Sequence, residues 1–353
     1  MVNAQKRGQT QCAKTRRLPM RLQVSYQVKN WKQYNQALRQ RGNLQIWFNE
    51  DVITPPTPKP GRGRPTKFSQ GLIELALTVR YLFHLPLRAA QGFVDSLFSL
   101  QKIDFKCCDY SLLSRRAKSV GKKLSAMQNS KNKVLHLAFD STGLKVFGEG
   151  EWKTRIHGSN KRRTWKKLHL AVDVDSHKIL GSFLSKSKCT DGKALPKILK
   201  NIRKIGFAYG DGAYDQIGCY EELYKRKARP IIPPRKDART DRVVWTPAEQ
   251  LKSLNAKAAK DFGTSSWKVG TGYHRRSLVE TAMWRFKKIF TGNLSSRNIR
   301  NQRAEIAIKV AILNKLTELG MPDSKMNKKL ISPGLVGEIS QMLGTPSETR
   351  AVG

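Results

Sequence analysis

The apolar positions along the chain keep two periods, and the change from one to the other divides it. Leu72 to Leu85 carries apolar residues at helical spacing, Pro86 breaks the pattern, and Leu87 to Leu100 resumes it through Ala90, Phe93, Val94 and Leu97. Tyr110 to Val120 reads as a third, short helix. From Val134 the period falls to two: Leu135, Leu137 and Phe139 alternate with His136, Ala138 and Asp140, and Leu168, Leu170, Val172 and Val174 alternate with Lys167, His169, Ala171 and Asp173. Successive side chains of a strand point to opposite faces, so both runs are predicted strands. Ile179 to Leu184 returns after a short Asp-Ser-His turn, Ala194 to Ile202 is helical, and Phe207 to Asp211 and Arg229 to Ile232 are short strands. A long helix is predicted from about Arg276 to Phe290.

Three antiparallel strands followed by alternating helices and strands is the element order of an α/β, ribonuclease H-like catalytic domain, a mixed sheet with flanking helices; the match is an analogy of order. The predicted organisation is a basic N-terminal arm with a short helical segment (1–53), a Pro/Gly-rich basic linker (54–67), a small helical DNA-binding domain (68–130), the catalytic domain (131–322) and a polar C-terminal tail (323–353). The linker contains TPPTPKPGRGRP, which can be neither helix nor central strand. Residues 236–270 carry only weak pattern and read as an insertion or long loop.

Charge narrows the function. Lys and Arg number 67 against 26 Asp and Glu, a formal net charge of +41, which a compact chain tolerates best when its working partner is a polyanion. Nucleic acid leads, ahead of ribosomal RNA, acidic lipid and heparin. The basic N-terminus is followed by no apolar run that could be a signal-peptide core, and Glu74 and Arg80 interrupt the most apolar stretch, so an intracellular, non-membrane protein is expected. Five cysteines without C-x-x-C spacing argue against a disulfide framework or a zinc ribbon, and the six histidines fall singly, so none is assigned to a metal.

Cutting a phosphodiester requires an activated oxygen nucleophile, a stabilised leaving oxygen and an in-line geometry. Two divalent cations about 4 Å apart supply all three, and hard Mg²⁺ takes carboxylate oxygens and water. The candidate acids are Asp140 in AFDSTG, Asp211 in YGDGAYD and Glu280 in SLVETAM. Each has a structural alternative: the aspartates precede glycine-containing turns that an aspartate commonly caps, and Ser277 with Glu280 fits a capping box. Asp173 and Asp175 sit around a hairpin turn and Asp191 begins a helix, where an N-cap accounts for it. Tyr273, Arg276, Glu280 and Lys287 lie at offsets 0, 3, 7 and 14, within about 60° of one another on a helix, opposite Leu278, Ala282, Phe286 and Ile289.

Tyr273-x2-Arg276-x3-Glu280-x6-Lys287 resembles the signature of transposases from bacterial insertion sequences. LPLRAAQGFVDSLF, DYSLLSRRAKSV, FDSTGLKVFGEGEWK, WKKLHLAVD, ALPKIL, DGAYD and GYHRRSLVETAMWRFK resemble blocks of insertion-sequence family five, over about residues 28–322. The resemblance implies a metal-dependent transposase in which Asp140, Asp211 and Glu280 hold two Mg²⁺ (Mn²⁺ as substitute) and Tyr273, Arg276 and Lys287 are their signature partners. It also implies that the protein binds double-stranded element ends and target DNA as a homo-oligomer, without a small-molecule substrate, in the bacterial cytoplasm near the nucleoid. A DNA-binding regulator or inactive relative, and a ribonuclease H-like nuclease that does not join, are the alternatives.

For DNA contacts, the second and third helices suggest a helix-turn-helix with Arg115, Arg116 and Lys118 on its later helix, the alternative being a helical subdomain with solvated cations. Arg62 and Arg64 stand in a GRGRP like the core of an AT-hook, or in a plain basic linker. Arg162, Arg163 and Lys166, with Trp152 and Trp165, place cations and indoles between the first two strands, either as a backbone clamp and base platform or, for the tryptophans, as core.

Overall fold

The computed structural model describes residues 25–327 except 49, 55, 57–65, 128–133, 147–164, 236 and 239–243. Arg62, Arg64, Arg162, Arg163 and Trp152 fall outside the described residues, as do the N-terminal arm before Ser25 and the tail after Asn327.

In chain order, strand β1 (Ser25–Val28) leads to α1 (Trp31–Gln40), α2 (Glu50–Ile53), α3 (Gln70–Leu82), α4 (Leu87–Leu100) and α5 (Tyr110–Met127). Then come β2 (Leu135–Val146), β3 (Trp165–Asp173), β4 (Ile179–Lys186), α6 (Asp191–Ile198), β5 (Ile205–Tyr209), α7 (Ile217–Tyr224) and β6 (Arg229–Ile231). The last part holds α8 (Pro247–Asp261), α9 (Thr264–Gly270), α10 (Ser277–Phe290), β7 (Asn293–Leu294), α11 (Ile299–Glu318) and β8 (Ser324–Asn327). No helix among the described residues is long and apolar enough to cross a membrane.

The main sheet runs β4-β3-β2-β5-β6, with β7 joining the end of β2. The β2, β3 and β4 strands are antiparallel, the last two joined by the short return at 174–178, whereas β5 and β6 run parallel to β2 and are reached through α6 and α7. Period-two alternation then sorts side chains into two layers. Leu135, Leu137 and Phe139 join Ala171, Leu195, Leu199, Tyr214 and Tyr220 in a core beneath α6 and α7. Ala138, Leu168, Leu170 and Val172 join Val279, Phe286, Ile308, Leu72 and Leu113 in a larger core on the opposite face.

The α3 to α5 helices therefore share the core of the sheet, and residue 130 marks no boundary in the packing. α5 lies so close to α11 that a Cβ on Gly121 would stand 2.8 Å from the Ala304 Cα. Sequence spacing alone reads these helices as a domain because periodicity is local; their partner, α11, comes almost two hundred residues later.

Three further expectations need correction. From Pro247 to Gly270 the expected loop is two helices: α8 opens on a capping box between Thr246 and Glu249 and buries Ala248, Ala256, Ala258 and Ala259, and α9 follows. These small residues give an amphipathic helix too little contrast to register as a pattern. The start of the supposed tail is paired, since β8 and β1 form an antiparallel ribbon with Tyr26 opposite Met326. α6 begins at Asp191, three residues before the predicted helix. Cys107, Cys108, Cys189 and Cys219 are free thiols, in line with the absence of a disulfide pattern.

One buried ion pair pins the turn that follows α10. Glu305, fully buried on α11, accepts hydrogen bonds from the Ser295 and Ser296 amides at 3.0 and 2.9 Å and from Lys309 Nζ at 2.6 Å, and Lys309 also donates to the Asn293 carbonyl. Removing one partner of such a pair strands the other. Glu305→Ala should lower the unfolding free energy by about 3–5 kcal/mol in urea titrations. Lys178→Ala, which breaks the exposed pair with Glu318, should cost less than about 1 kcal/mol. Equal losses in the two variants would refute this assignment.

Candidate active site

The alternation that builds the two cores also decides where the acids go. Asp140 follows Ala138 by two residues on β2, so it shares that residue's face, beneath α10. Parallel pairing sets Ala138 opposite Tyr209, and two residues further each chain reaches its aspartate: Asp140 within β2, Asp211 just past the end of β5. The third acid, Glu280, lies in the first turn of α10.

Asp140 does not cap a turn, because β2 continues through Ser141, Thr142 and Gly143 to Val146. Its Oδ1 accepts the Ser141 amide at 2.6 Å. Asp211 does cap: its Oδ1 accepts the Ala213 amide at 3.0 Å and opens the single turn Gly212–Tyr214. The capping box expected of Ser277 and Glu280 is not made; Arg276 occupies the cap position without a side-chain cap hydrogen bond, and Glu280 turns to Arg276 instead.

Arg276 is the centre of this cluster. One guanidinium nitrogen donates to Asp140 Oδ2 at 3.1 Å and the other to Glu280 Oε1. Tyr273 and Arg276 were expected on one helical stripe with Glu280 and Lys287, but they belong to a tighter 3-10 turn, Tyr273–Arg276, ahead of α10. Gly272 enters that turn at φ +65°, a left-handed conformation that glycine adopts without a Cβ clash. Arg276 itself keeps helical backbone angles one turn before Glu280 and reaches over the strand to Asp140, while Lys287, two turns beyond Glu280 on α10, stays on the exposed side with Trp284, which is 64% exposed. Tyr273 packs its ring against Trp267, with the Arg276 guanidinium 5.8 Å from the ring centre.

The cluster is electrostatically unbalanced. Burial raises the Asp140 carboxyl above its ordinary value, and the like charges of Asp211 and Glu280 add to the rise, against the Ser141 amide and Arg276. Burial likewise raises the Tyr273 phenol, with Asp211 and Glu280 adding to it and Arg276 opposing. Tyr214, fully buried edge-on to Phe139, has a hydroxyl with no hydrogen-bond partner among the described residues. Its phenol is raised by burial and then by Asp191, Asp140 and Asp211, so it stays protonated beside three carboxylates.

The chemistry of this donor set fits a hard divalent cation: three carboxylates, half-buried to exposed, with an orphaned buried hydroxyl behind them. They are not drawn together as a ready-made metal cage. Among the described residues no three His, Cys, Asp or Glu side chains converge closely enough to hold an ion, and between Asp140 and Glu280 stands the Arg276 guanidinium.

The remaining acids have other partners. Asp173 accepts from the Ser176 amide and hydroxyl in the hairpin turn, as expected, and Asp175 pairs with Arg275 at 2.6 Å. Asp191 departs from its expected role as an N-cap, because Thr190 holds that position and Asp191 lies inside the first turn. It instead accepts from Lys167 Nζ at 2.9 Å and stands 3.2 Å from His169 Nδ1. Burial would raise its carboxyl, yet His169, Lys167 and Ser141 beside it hold it well below the usual carboxylate range. Sequence reasoning missed Tyr214, Ser141 and this network, since none of them has a spacing of its own.

Of the expected DNA contacts, Arg115 and Lys118 are exposed on α5, whereas half-buried Arg116 donates to Gln70 at 3.2 Å. The opposite side of α5 packs Leu113 and Val120 into the core. Nine residues, 101–109, join α4 to α5, anchored by Asp95 and Gln91 accepting from the Cys107 and Tyr110 amides. Lys166 is half-buried on β3.

A family model described as the transposase DDE domain matches residues 132–315, just over half of the chain. The chain belongs to the DDE transposase family. A second model of the same description matches residues 39–149, so together they take in the α3 to α5 helices as well as the sheet. DDE transposases generally use divalent metal ions. Among solved structures the chain is similar to piggyBac transposase in a synaptic complex with hairpin DNA, at 10% identity and a TM-score of 0.38 over 88% of this chain and 78% of that one.

A raised acid favours its neutral form in the folded state, so its ionisation withdraws stability as pH rises through the raised pKa. Without divalent metal, Asp140→Asn should therefore match or exceed the wild-type melting temperature at pH 7, with the gap closing as the pH is lowered towards the ordinary aspartate range. Added Mn²⁺ should raise the melting temperature of the wild type only. A variant that melts lower at pH 7 and also gains from Mn²⁺ would contradict the electrostatic account.

Proposed function

We propose that this chain is the transposase of a bacterial insertion sequence of family five, which binds the terminal inverted repeats of its element and cuts and joins DNA on a ribonuclease H-like catalytic fold. The observation that carries the reading is the placement of Asp140 on a central strand, Asp211 just past the end of its parallel neighbour and Glu280 in the first turn of the helix over that face, with Arg276 bridging Asp140 and Glu280. Membership of the DDE transposase family supports it.

In this reading Asp140, Asp211 and Glu280 hold two Mg²⁺ ions, with Mn²⁺ as a substitute. Such ions, when bound, lower the pKa of an attacking oxygen and stabilise the leaving 3′ oxygen. The protein's own residues do the rest. Arg276, already poised between two carboxylates, exchanges one anionic partner for a DNA phosphate, and its bidentate fork suits both. Tyr273 limits where that guanidinium can swing, and Lys287 meets the backbone farther along α10. Arg115, Arg116 and Lys118 face the terminal repeats, and Arg62, Arg64, Arg162, Arg163 and Lys166 add contacts that the net charge of +41 favours. Two element ends must be processed together, which calls for a homo-oligomer, and the substrate places the protein in the cytoplasm at the nucleoid.

Asp140→Asn, Asp211→Asn and Glu280→Gln should each reduce cleavage of element ends in Mg²⁺ to background while gel-shift binding to those ends stays near wild type. Substantial cleavage by any one removes that acid from the site, and binding without metal-dependent cleavage by the wild type would mark the protein as a regulator instead.

Arg276→Ala and Lys287→Ala should lower strand transfer and flatten its salt dependence by about 0.9 in the log–log slope for each phosphate that is no longer neutralised. Weaker Mg²⁺ dependence with an unchanged salt slope would instead make Arg276 an aligning partner of Glu280. If neither titration moves, both residues lie on a merely solvated face.

A further inference from the structure

The two faces of β2 carry different chemistry at adjacent residues. Asp140 points to α10, and Ser141, one residue on, points to the α6 side, where it lies opposite His169 in the antiparallel pair with β3. The Ser141 amide donates to Asp140 at 2.6 Å, and its place opposite His169, whose Nδ1 lies 3.2 Å from Asp191, sets its hydroxyl beside the carboxylate at the start of α6.

Asp191 is itself anchored from two directions. Lys167 Nζ donates to it at 2.9 Å and His169 Nδ1 stands 3.2 Å away, while His169 Nε2 meets Ser185 Oγ at 2.9 Å on the next strand. The order Ser185, His169, Asp191 is that of a hydrolytic triad, but His169 is fully buried and Ser185 nearly so, which bars a substrate from the hydroxyl. The network is thus a brace across three strands and a helix. Among the described residues it reaches the acid cluster through Ser141, and through the field that acts on Tyr214.

A buried ionic brace is weak ground for stability, because apolar residues of like volume pack there at no greater cost. Its geometry has a more specific use. The carboxylate of Asp140 can be misaimed by a small rotation of β2 about its own axis, and an anchored carboxylate lodged behind Ser141 opposes that rotation. Resting on the transposase reading above, we propose that Asp191 is a positioning residue for the metal-binding acids: it grips Ser141 from behind the sheet, fixes the direction in which Asp140 presents its carboxylate, and is itself not a ligand.

The test titrates the full-length, DNA-free protein with Mn²⁺ and follows free ion by electron paramagnetic resonance. Asp191→Asn and Ser141→Ala should each weaken Mn²⁺ binding on the order of 10-fold, as expected for groups that orient metal ligands. The double variant should lose little more than either single one, because both changes cut the same link. Ser141→Ala, a mild change at a half-exposed site, should keep the wild-type melting temperature, so that its effect is not one of folding. Unchanged Mn²⁺ affinity in Ser141→Ala overturns the proposal, as does a double variant whose losses add. Abolition of binding by Asp191→Asn with Ser141→Ala silent would make Asp191 a ligand. Failure of the wild type to bind Mn²⁺ would bring down the transposase site itself, whereas loss only in Asp140→Asn would leave that site standing without the brace.

Discussion

The pleat of β2 is the constraint on which the molecule depends. Twelve residues must bury one set of side chains beneath α6 and α7 and the alternate set beneath α10 and α11, so a slip of one residue would exchange the two. The pairing that prevents the slip is extensive: β2 is bonded to β3 from Leu137 to Lys145 and to β5 at its other edge. The layout of the candidate site follows from this register. It sends Asp140 to the face that α10 covers, aligns Asp211 with it just past the end of the neighbouring strand, and leaves Ser141 looking back at Asp191.

On that frame the acid cluster stands as an electrostatic liability held in check. Three carboxylates share one face, one of them raised by burial and by its neighbours, and the Arg276 guanidinium supplies countercharge to two of them. Such an arrangement costs stability and is retained where a cation or a phosphate repays it. Arg276 can serve in either circumstance because its fork binds carboxylate and phosphate with the same geometry. Its position one helical turn before Glu280, where α10 begins, lets a single guanidinium reach both Glu280 and Asp140.

The helices ahead of the sheet belong to the same physical unit. α5 closes on α11 without room for a Cβ at Gly121, and α11 in turn carries the Glu305–Lys309 pair that ties down the end of α10. The basic, exposed side of α5 and the acid cluster are therefore mounted on one continuous core. Motion between them would have to break apolar packing, which is why the proposed reading of DNA by α5 and the chemistry at Asp140 would be geometrically coupled.

Local spacing in the sequence determined a good deal. The period-two runs marked β2 and β3, the return at Ile179 marked β4, and the residue types of Asp140 and Asp211 at the ends of predicted strands and of Glu280 early in a predicted helix were legible as a candidate cation site. The absence of paired cysteines and histidines was equally plain. Spacing could not reveal what joins residues far apart in the chain. Arg276 meets Asp140 across 136 positions, Lys167 meets Asp191 across two turns and a strand, β1 meets β8 near the opposite end of the described chain, and α5 meets α11. Nor could it find α8, whose buried face is alanine, or the tightened turn at Tyr273, which has the same letters as an α-helix. Periodicity records which side of an element is buried; which element covers that side, and which charge then stands beside which, is decided only when the layers close on one another.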